Sequence, residues 1–425
     1  MPLPRACPLP ALLLLAGLVA TASLYTWGAG AYFELREMMG LRPFPPFLDL
    51  HNVIAAVECW QQGIDVYRTN PCDMLGRPHL YSPLWLRMPA LLGQPGWLGQ
   101  PGWLGWLGIG INLGLILAVA ALPCPAGWRP GVVTLLAVAS PDTAFAMERA
   151  NMDVLIFAVV TLGALLLAGG LAARSLAYAL FLAMGLLKFY PLILLALVLR
   201  EAPRIALPLL AAIAAATLLA VLPLAGEFLR ALANIYPLPW FSGTFGAGQL
   251  PEGVAHRLGQ VPLLAASIWL ALVAGVLLTA WGMTRDTALV ARLADLPDRH
   301  AHLLLVGALL ICGCFVAGQS VEYRAIFLLL VLPALLRLAV GSRRFAAASG
   351  AVALLMWDPV LRRLTAYAFP PGDDTLSLPS FVLWLLREAL WWWLVAVLLG
   401  LLAALLLRAQ RGRYSAPGLA ASQSP

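Results

Sequence analysis

Between Arg174 and Arg200 the chain reads Ser175-Leu-Ala-Tyr-Ala-Leu-Phe-Leu-Ala-Met-Gly-Leu-Leu-Lys188-Phe-Tyr190-Pro191-Leu-Ile-Leu-Leu-Ala-Leu-Val-Leu199, a run with one cation and no acid. A helix of about 20 apolar residues crosses the hydrocarbon core of a bilayer. The run is therefore read as one membrane span over 175–199. At about 1.5 Å per residue from the Arg200 end, Lys188 falls near mid-depth. An ammonium there costs on the order of 3 kcal/mol unless it meets a partner or a wet cavity. Lys188 is also the only lysine in the chain, which makes it a functional candidate; the alternative is a purely structural pair with Asp153 or Glu148.

The same kind of run recurs along the chain. Candidate spans lie at 9–27, 81–93, 102–122, 131–147, 152–170, 175–199, 205–224, 261–284, 303–317, 325–340, 345–357 and 384–407. Composition agrees: of 425 residues 62% are apolar and 11% charged, against about 25% charged in soluble domains. With 27 basic and 20 acidic residues there is too little polar surface for soluble domains. The expected fold is all-α, a polytopic integral membrane protein with about twelve transmembrane helices, one domain over 1–407 and a basic cytoplasmic tail over 408–425. The first span can alternatively be read as a cleaved signal peptide, since small residues follow at Gly28 to Ala31.

The net charge of +7 is spread as arginines between the apolar runs, the pattern of membrane-loop topology and not of a nucleic-acid surface. Arg5, Arg200, Arg204, Arg285, Arg292, Arg299, Arg343, Arg344, Arg408, Arg411 and Arg413 fall on one parity of the span order, read as cytoplasmic. The long loops 28–80, 225–260 and 358–380 then lie outside. The same parity puts Glu148–Asp153 inside as an ordinary loop; the alternative left open is a polar re-entrant tip that turns into a cavity. Long loops rich in Pro, Gly and aromatics are more often functional than mere connectors, so chemistry is expected on the outer face. The tandem Gly93-Gln-Pro-Gly-Trp-Leu and Gly99-Gln-Pro-Gly-Trp-Leu is read as a local slip in an interfacial turn. No metal spacing exists among the cysteines and histidines, and neither a metal nor a cofactor is called for. Cys59 and Cys72 share an outer loop where a disulfide persists if it forms; the pairing is left open.

In the first outer loop, Leu50, Val53, Ile54, Val57 and Trp60 recur at helical spacing, predicting an amphipathic interfacial helix. Asp49 stands in its first turn, either as a carboxylate for chemistry or as an acid favoured by the macrodipole. Gln319-Ser-Val-Glu322-Tyr323-Arg324 interrupts two apolar runs. Glu322 and Arg324 either neutralise each other or leave Arg324 as a fork for phosphate oxygens, with Tyr323 offering a hydroxyl or a ring. His256 with Arg257 is a weaker pair of the same kind, and a solvated loop histidine is the plain alternative. Asp373-Asp374 reads as a solvated turn.

Taken together, Asp49, Ala55-Ala56, Gly63, Val66-Tyr67 and Tyr81-Ser82-Pro83-Leu84 resemble the first-loop pattern of GT-C membrane glycosyltransferases, most nearly the family 87 polyprenyl-phosphate-mannose-dependent mannosyltransferases. Lys188-Phe-Tyr-Pro-Leu resembles that family's lysine-proline helix, Glu148-Arg-Ala-Asn151 its Gly-Gln-x-Asn segment, and Leu386-Arg387-Glu388 with Trp391-Trp392-Trp393 its last span. The resemblance implies inverting transfer of a sugar, mannose first, from a polyprenyl-phosphate donor to a lipid or glycan acceptor at the outer face of a bacterial plasma membrane. Asp49 would be the general base. Lys188, Arg324, Glu322, Tyr323, Tyr81, Asn151, His256 and Arg257 would serve the substrates, with membrane lipids the other partners. The chain departs from the family where Glu322-Tyr323-Arg324 stands in place of a histidine pair and Ser82 in place of a proline. Composition and intramembrane charge alone would equally suit a transporter or lipid flippase using Lys188 and Glu322 with Arg324, though no repeat relates the spans.

Overall fold

Inside hydrocarbon a backbone must satisfy its own polar groups, and a leucine- and alanine-rich run does so as a helix. The computed structural model is helical over most of the residues it describes, 8–41, 44–91, 102–125, 127–235, 237–259, 261–370 and 376–415. Met1 to Arg5, Arg42-Pro43, most of the tandem repeat, Tyr236, Asp373-Asp374 and 416–425 lie outside the described residues.

Among the described residues eight helices are long and apolar enough to cross a membrane, nine if a bent pair counts as one. They are Pro8–Trp27, Trp103–Ala120, Trp128–Arg149, Leu171–Lys188, Pro203–Ala233, Pro262–Arg285, Asp298–Ala317 and Leu378–Leu407; the bent pair is Arg343–Met356 with Asp358–Ala368, turned by 60°. Helix Pro262–Arg285 buries only Val276 and Met283 and turns Leu263, Leu270, Leu277, Leu278 and Trp281 outward. A surface that apolar suits lipid and not water. Asp298–Ala317, Leu328–Ala339 and Leu378–Ser415 are buried along much of their length and form the centre.

The expected twelve spans are not all found among the described residues. Of the stretch 81–93 the described residues hold the helix Leu84–Leu91. Met152–Leu166 and Leu328–Ala339, with 15 and 12 residues, rise about 18–23 Å against about 30 Å of hydrocarbon. The run 175–199 is broken: an α-helix ends at Lys188, and after Phe189 (φ 45°) a 3₁₀ helix Tyr190–Arg200 returns along it. Pro191 has no N–H to continue an α-helix. The return is fixed at its far end, where Arg174 Nε donates to Glu201 Oε1 (2.8 Å) and Tyr178 donates to the same oxygen (2.9 Å). Lys188 therefore stands at a helix end, not midway along a span.

The Glu148–Asp153 turn packs against the start of the helix Leu48–Gln61 and so stands at the end of the bundle that carries the first long loop, not across from it: the Phe47 N–H donates to the Glu148 carbonyl (2.5 Å), and Asn151 reaches Asp49.

At that end the loops fold on one another. Helix Leu48–Gln61 is buried on several faces, with Asn52, Ala55, Ala56 and Cys59 all enclosed, so it is a packed element and not an interfacial one. Cys59 and Cys72 form a disulfide. Helix Ala225–Ala233 docks onto this unit through Glu227, which takes both Arg87 guanidinium nitrogens (2.8 and 2.5 Å), and through an Arg230–Asp65 pair. A two-residue antiparallel ladder, Thr244 opposite Val321 and Phe245 opposite Ser320, ties the 237–259 loop to the segment that carries Glu322 and Arg324.

Candidate active site

Three non-glycine residues hold left-handed backbone beside polar residues: Phe47 (φ 65°) two before Asp49, Ala150 (φ 42°) one before Asn151, and Phe189 (φ 45°) one after Lys188. Each such conformation costs of order 1–3 kcal/mol and persists where surrounding structure enforces it, often at functional sites. Here each one aims a helix end at a common point. Asn151 is the N-cap of Met152–Leu166, its Oδ1 accepting from the Asp153 N–H (3.0 Å). The Leu187 carbonyl at the end of Leu171–Lys188 accepts from the Trp85 indole (3.2 Å).

The side chains that meet there form a chain of contacts. Asp49 Oδ2 accepts from Asn151 Nδ2 (2.7 Å), and Asn151 Oδ1 accepts from Lys188 Nζ (2.7 Å). Lys188 also pairs with Asp153 Oδ1 (2.8 Å), which accepts in addition from the Tyr190 hydroxyl (2.8 Å). The second Asp153 oxygen takes Arg324 Nε (3.3 Å), and Arg324 Nη1 donates to Ser320 Oγ (2.9 Å). Lys188 Nζ lies 5.2 Å from the centre of the Tyr81 ring and 5.9 Å from that of Tyr323, within cation–π range. Asp153 is fully buried while Asp49 keeps 15% of its side chain exposed. A fully buried carboxylate with two cations is a fixed counter-ion. The partly open carboxylate is the one a substrate can reach.

The other Asp49 oxygen is held from the loop. Arg77 Nη1 contacts Asp49 Oδ1 (3.2 Å), and Arg77 Nη2 donates to the Leu48 carbonyl (2.8 Å). Arg77 is itself gripped by Asp73, through its N–H (3.0 Å), Nε (2.9 Å) and Nη2 (2.9 Å). Burial pushes the Asp73 carboxyl up, but hydrogen bonds from His51 and Arg77 outweigh it and hold the group well below the usual carboxylate range. The turn that allows this grip needs left-handed backbone at Gly76 (φ 62°), whose N–H donates to the Asp73 carbonyl (2.8 Å). Nearby His79 is fully buried, its Nε2 3.4 Å from the Ser82 carbonyl, and burial lowers its imidazole to about 4.

Of the residues singled out in the sequence, Asp49, Asn151, Lys188, Arg324, Tyr81 and Tyr323 come together. Glu322 and Arg324 do not neutralise each other. Arg324 turns to Asp153, while Glu322 pairs with Arg362 in a separate buried network that includes Asp358, Arg387 and Glu388. His256 and Arg257 lie elsewhere, His256 6.3 Å from the Phe241 ring centre and Arg257 over Phe381. Arg77, Asp73 and Tyr190 were not singled out. Tyr190 sits inside the lysine-proline motif, but nothing local marks Arg77, whose role is a contact across 28 residues. Among the described residues no group of three or more His, Cys, Asp or Glu is placed to hold a metal.

No family model matches the chain, and no curated protein or solved structure matches it either.

Proposed function

We propose that the protein is a membrane glycosyltransferase that moves a sugar, mannose first among candidates, from a polyprenyl-phosphate donor to a lipid or glycan acceptor, with inversion. One observation carries the reading: a partly open carboxylate, Asp49, is connected through a single amide, Asn151, to a site where two cations share one buried carboxylate. Such a site retains one net positive charge. A leaving phosphate needs positive charge that is already in place, and Lys188 and Arg324 supply it. The acceptor hydroxyl needs a base within hydrogen-bond reach. Asp49, with Oδ2 oriented by Asn151 and Oδ1 by Arg77, fills that role. The hydroxyl oxygen attacks the sugar carbon as the C–O bond to phosphate breaks, the proton passes to Asp49, and the phosphate departs carrying the electron pair.

The test is sugar release from a panel of polyprenyl-phosphate sugars by the purified protein in lipid, with Asp49→Asn in parallel. Turnover that falls by about 10²-fold or more in the variant, with folding and donor binding retained, is the expected result. Equal turnover in Asp49→Asn removes the base assignment. Absence of turnover with every donor, in the presence of a broad acceptor mixture, removes the enzyme reading and leaves transport of a lipid or solute to be assayed.

A further inference from the structure

The buried network around Glu322 holds more acid than base. Arg387 donates through Nε to Glu388 Oε1 (3.0 Å), through Nη1 to Asp358 Oδ2 (3.1 Å) and through Nη2 to the Thr244 carbonyl (2.7 Å). Arg362 donates through Nε to Asp358 Oδ2 (2.7 Å) and through Nη2 to Glu322. Asp142, in the first turn of the helix Pro141–Arg149, faces the same network: the charges that act on it are those of Glu322, then Asp358, Arg362 and Arg387. It is 1% exposed, and its Oδ1 is buried without a hydrogen-bond partner among the described residues. The guanidinium bonds above all go elsewhere. The neighbouring hydroxyls are spent as well, since Ser140 Oγ accepts from the Thr143 N–H (3.2 Å) and Thr143 Oγ1 donates to the Ala137 carbonyl (3.3 Å).

The carboxyls of Asp142, Glu322, Asp358 and Glu388 thus share the guanidiniums of Arg362 and Arg387, and would leave an excess of negative charge if all were ionised. An ionised carboxylate without water or a hydrogen-bonded cation is so costly that such a group takes up a proton instead. The helix start favours the anion through its dipole, but that effect is small beside the desolvation of a fully buried charge. Glu322 is held where it stands: its N–H donates to the Gly243 carbonyl (3.0 Å), Arg362 takes its carboxylate, and that carboxylate packs so closely on Gly243 that a Cβ there would collide with it. Asp142 and Glu322 also stand on two supports of the Asp49 site. The helix Pro141–Arg149 runs to the turn of Asn151, and the segment Glu322–Phe327 carries Arg324. Of the other charges on or against that helix, Glu148 and Arg149 pair with each other at its far end, Arg363 meets Glu37, and Arg343 with Arg344 stands at the start of Arg343–Met356. Asp49, Asp153 and Arg324 are engaged within the site.

We propose that Asp142 and Glu322 form a proton-binding site, the pair holding a shared proton at neutral pH and so keeping the helix Pro141–Arg149 packed against the segment Glu322–Phe327. The proton comes from solvent as the chain folds, by formation of an O–H bond on a carboxylate, and returns to solvent when that bond breaks; no electrons are exchanged. With the proton gone, two carboxylates oppose each other between the segments that lead to Asn151 and Arg324. While it is bound, the folded chain holds more protons than the unfolded chain, whose carboxyls are ionised above the ordinary carboxylate range. The site therefore contributes stability that is lost as pH rises. It stands whether or not sugar transfer does.

The test reads the proton directly and needs no turnover. The full chain in phosphatidylcholine vesicles is compared with Asp142→Asn by infrared difference spectroscopy at pH 7, in H₂O and in D₂O. The wild type is expected to show the C=O stretch of a neutral carboxylic acid that moves in D₂O and is lost in the variant. No such difference means that Asp142 is ionised, and overturns the proposal. Thermal unfolding gives a second reading, because asparagine resembles the neutral acid. Asp142→Asn is expected to melt within a few degrees of the wild type at pH 7, and to lose less Tm than the wild type on raising the pH to 10. A variant that fails to fold, or melts far below the wild type at pH 7, means that the charge on Asp142 was needed, and equal losses of Tm mean that no proton is released; either result overturns the proposal. In Glu322→Gln the band is expected to persist and move, whereas an unmoved band assigns the proton to Asp142 alone and overturns the sharing. The Asp142→Asn spectra decide the matter even if Glu322→Gln does not fold.

Discussion

Replacing Lys188 by Met and Asp153 by Asn, singly and together, probes the charge balance at the centre of the site. In the wild type Asp153 is fully buried and meets Lys188 at 2.8 Å, Tyr190 at 2.8 Å and Arg324 at 3.3 Å. Breaking a buried ion pair costs about 3–5 kcal/mol because it strands a desolvated charge. Lys188→Met leaves the carboxylate with Arg324 and Tyr190, so its cost should sit near 3 kcal/mol. Asp153→Asn leaves two cations facing each other with no carboxylate between them, and its cost should reach 5 kcal/mol or more by the same reasoning. The double variant removes one of the two stranded cations, so it should be more stable than the sum of the single changes by about 2 kcal/mol. From the per-residue entropy of unfolding, a chain of this length loses roughly 1 °C of Tm per kcal/mol. The assay is tryptophan fluorescence on heating in one detergent at fixed lipid, with size exclusion confirming that the starting protein is monodisperse. The order of the effects is what matters. If Lys188→Met is as damaging as Asp153→Asn, or the two add without coupling, Asp153 is not the shared counter-ion and the charge argument for the site fails.

Other perturbations test the parts around it. Arg77→Ala should lower transfer by about 10²-fold through misplacement of Asp49 while leaving donor binding in place; added guanidinium should restore part of the rate, and absence of any rescue would count against a positioning role. Reducing the Cys59–Cys72 disulfide, which closes a loop across 13 residues, should cost about 3 kcal/mol by the chain-entropy relation, read as a lower Tm in reductant that vanishes in a Cys59→Ser/Cys72→Ser variant. His79 titrates near 4 when folded and near 6.5 when unfolded. The unfolded chain therefore takes up a proton first as pH falls, and stability is lost between those values, about 2 kcal/mol by pH 5. Asp73 works in the same direction, since its stabilising charge is also lost on acidification, but only below the ordinary carboxylate range. His79→Gln should flatten the change in Tm between pH 7 and pH 5; an unchanged slope would mean that His79 is not the group responsible.

Much was written in the sequence in a form that needs no third dimension. Apolar runs of 18 to 24 residues, as at Trp103–Ala120 and Pro262–Arg285, are helices in hydrocarbon whatever lies beside them, because the backbone has no other way to satisfy its polar groups. The helical start at Leu48, with Asp49 in its first turn, is visible from spacing and from the macrodipole in the same way. Lys188 declares itself because an ammonium amid leucines demands a partner. Each of these inferences uses forces that act within about one turn or one span.

Tertiary structure decided the rest, because partner choice depends on which distant segments share space. Spacing cannot say that the run 175–199 folds back on itself at Phe189; that depends on Lys188 being drawn to Asn151 and Asp153 and on Glu201 finding Arg174 and Tyr178. It cannot say that neighbours Glu322 and Arg324 serve two different networks, one with Arg362 and one with Asp153. Nor does anything near Arg77 reveal that it reaches Asp49. Hydrophobicity is a property of each residue and survives reading one letter at a time, whereas an ion pair is a property of two, and its energy depends on a distance and a burial that only the folded chain sets.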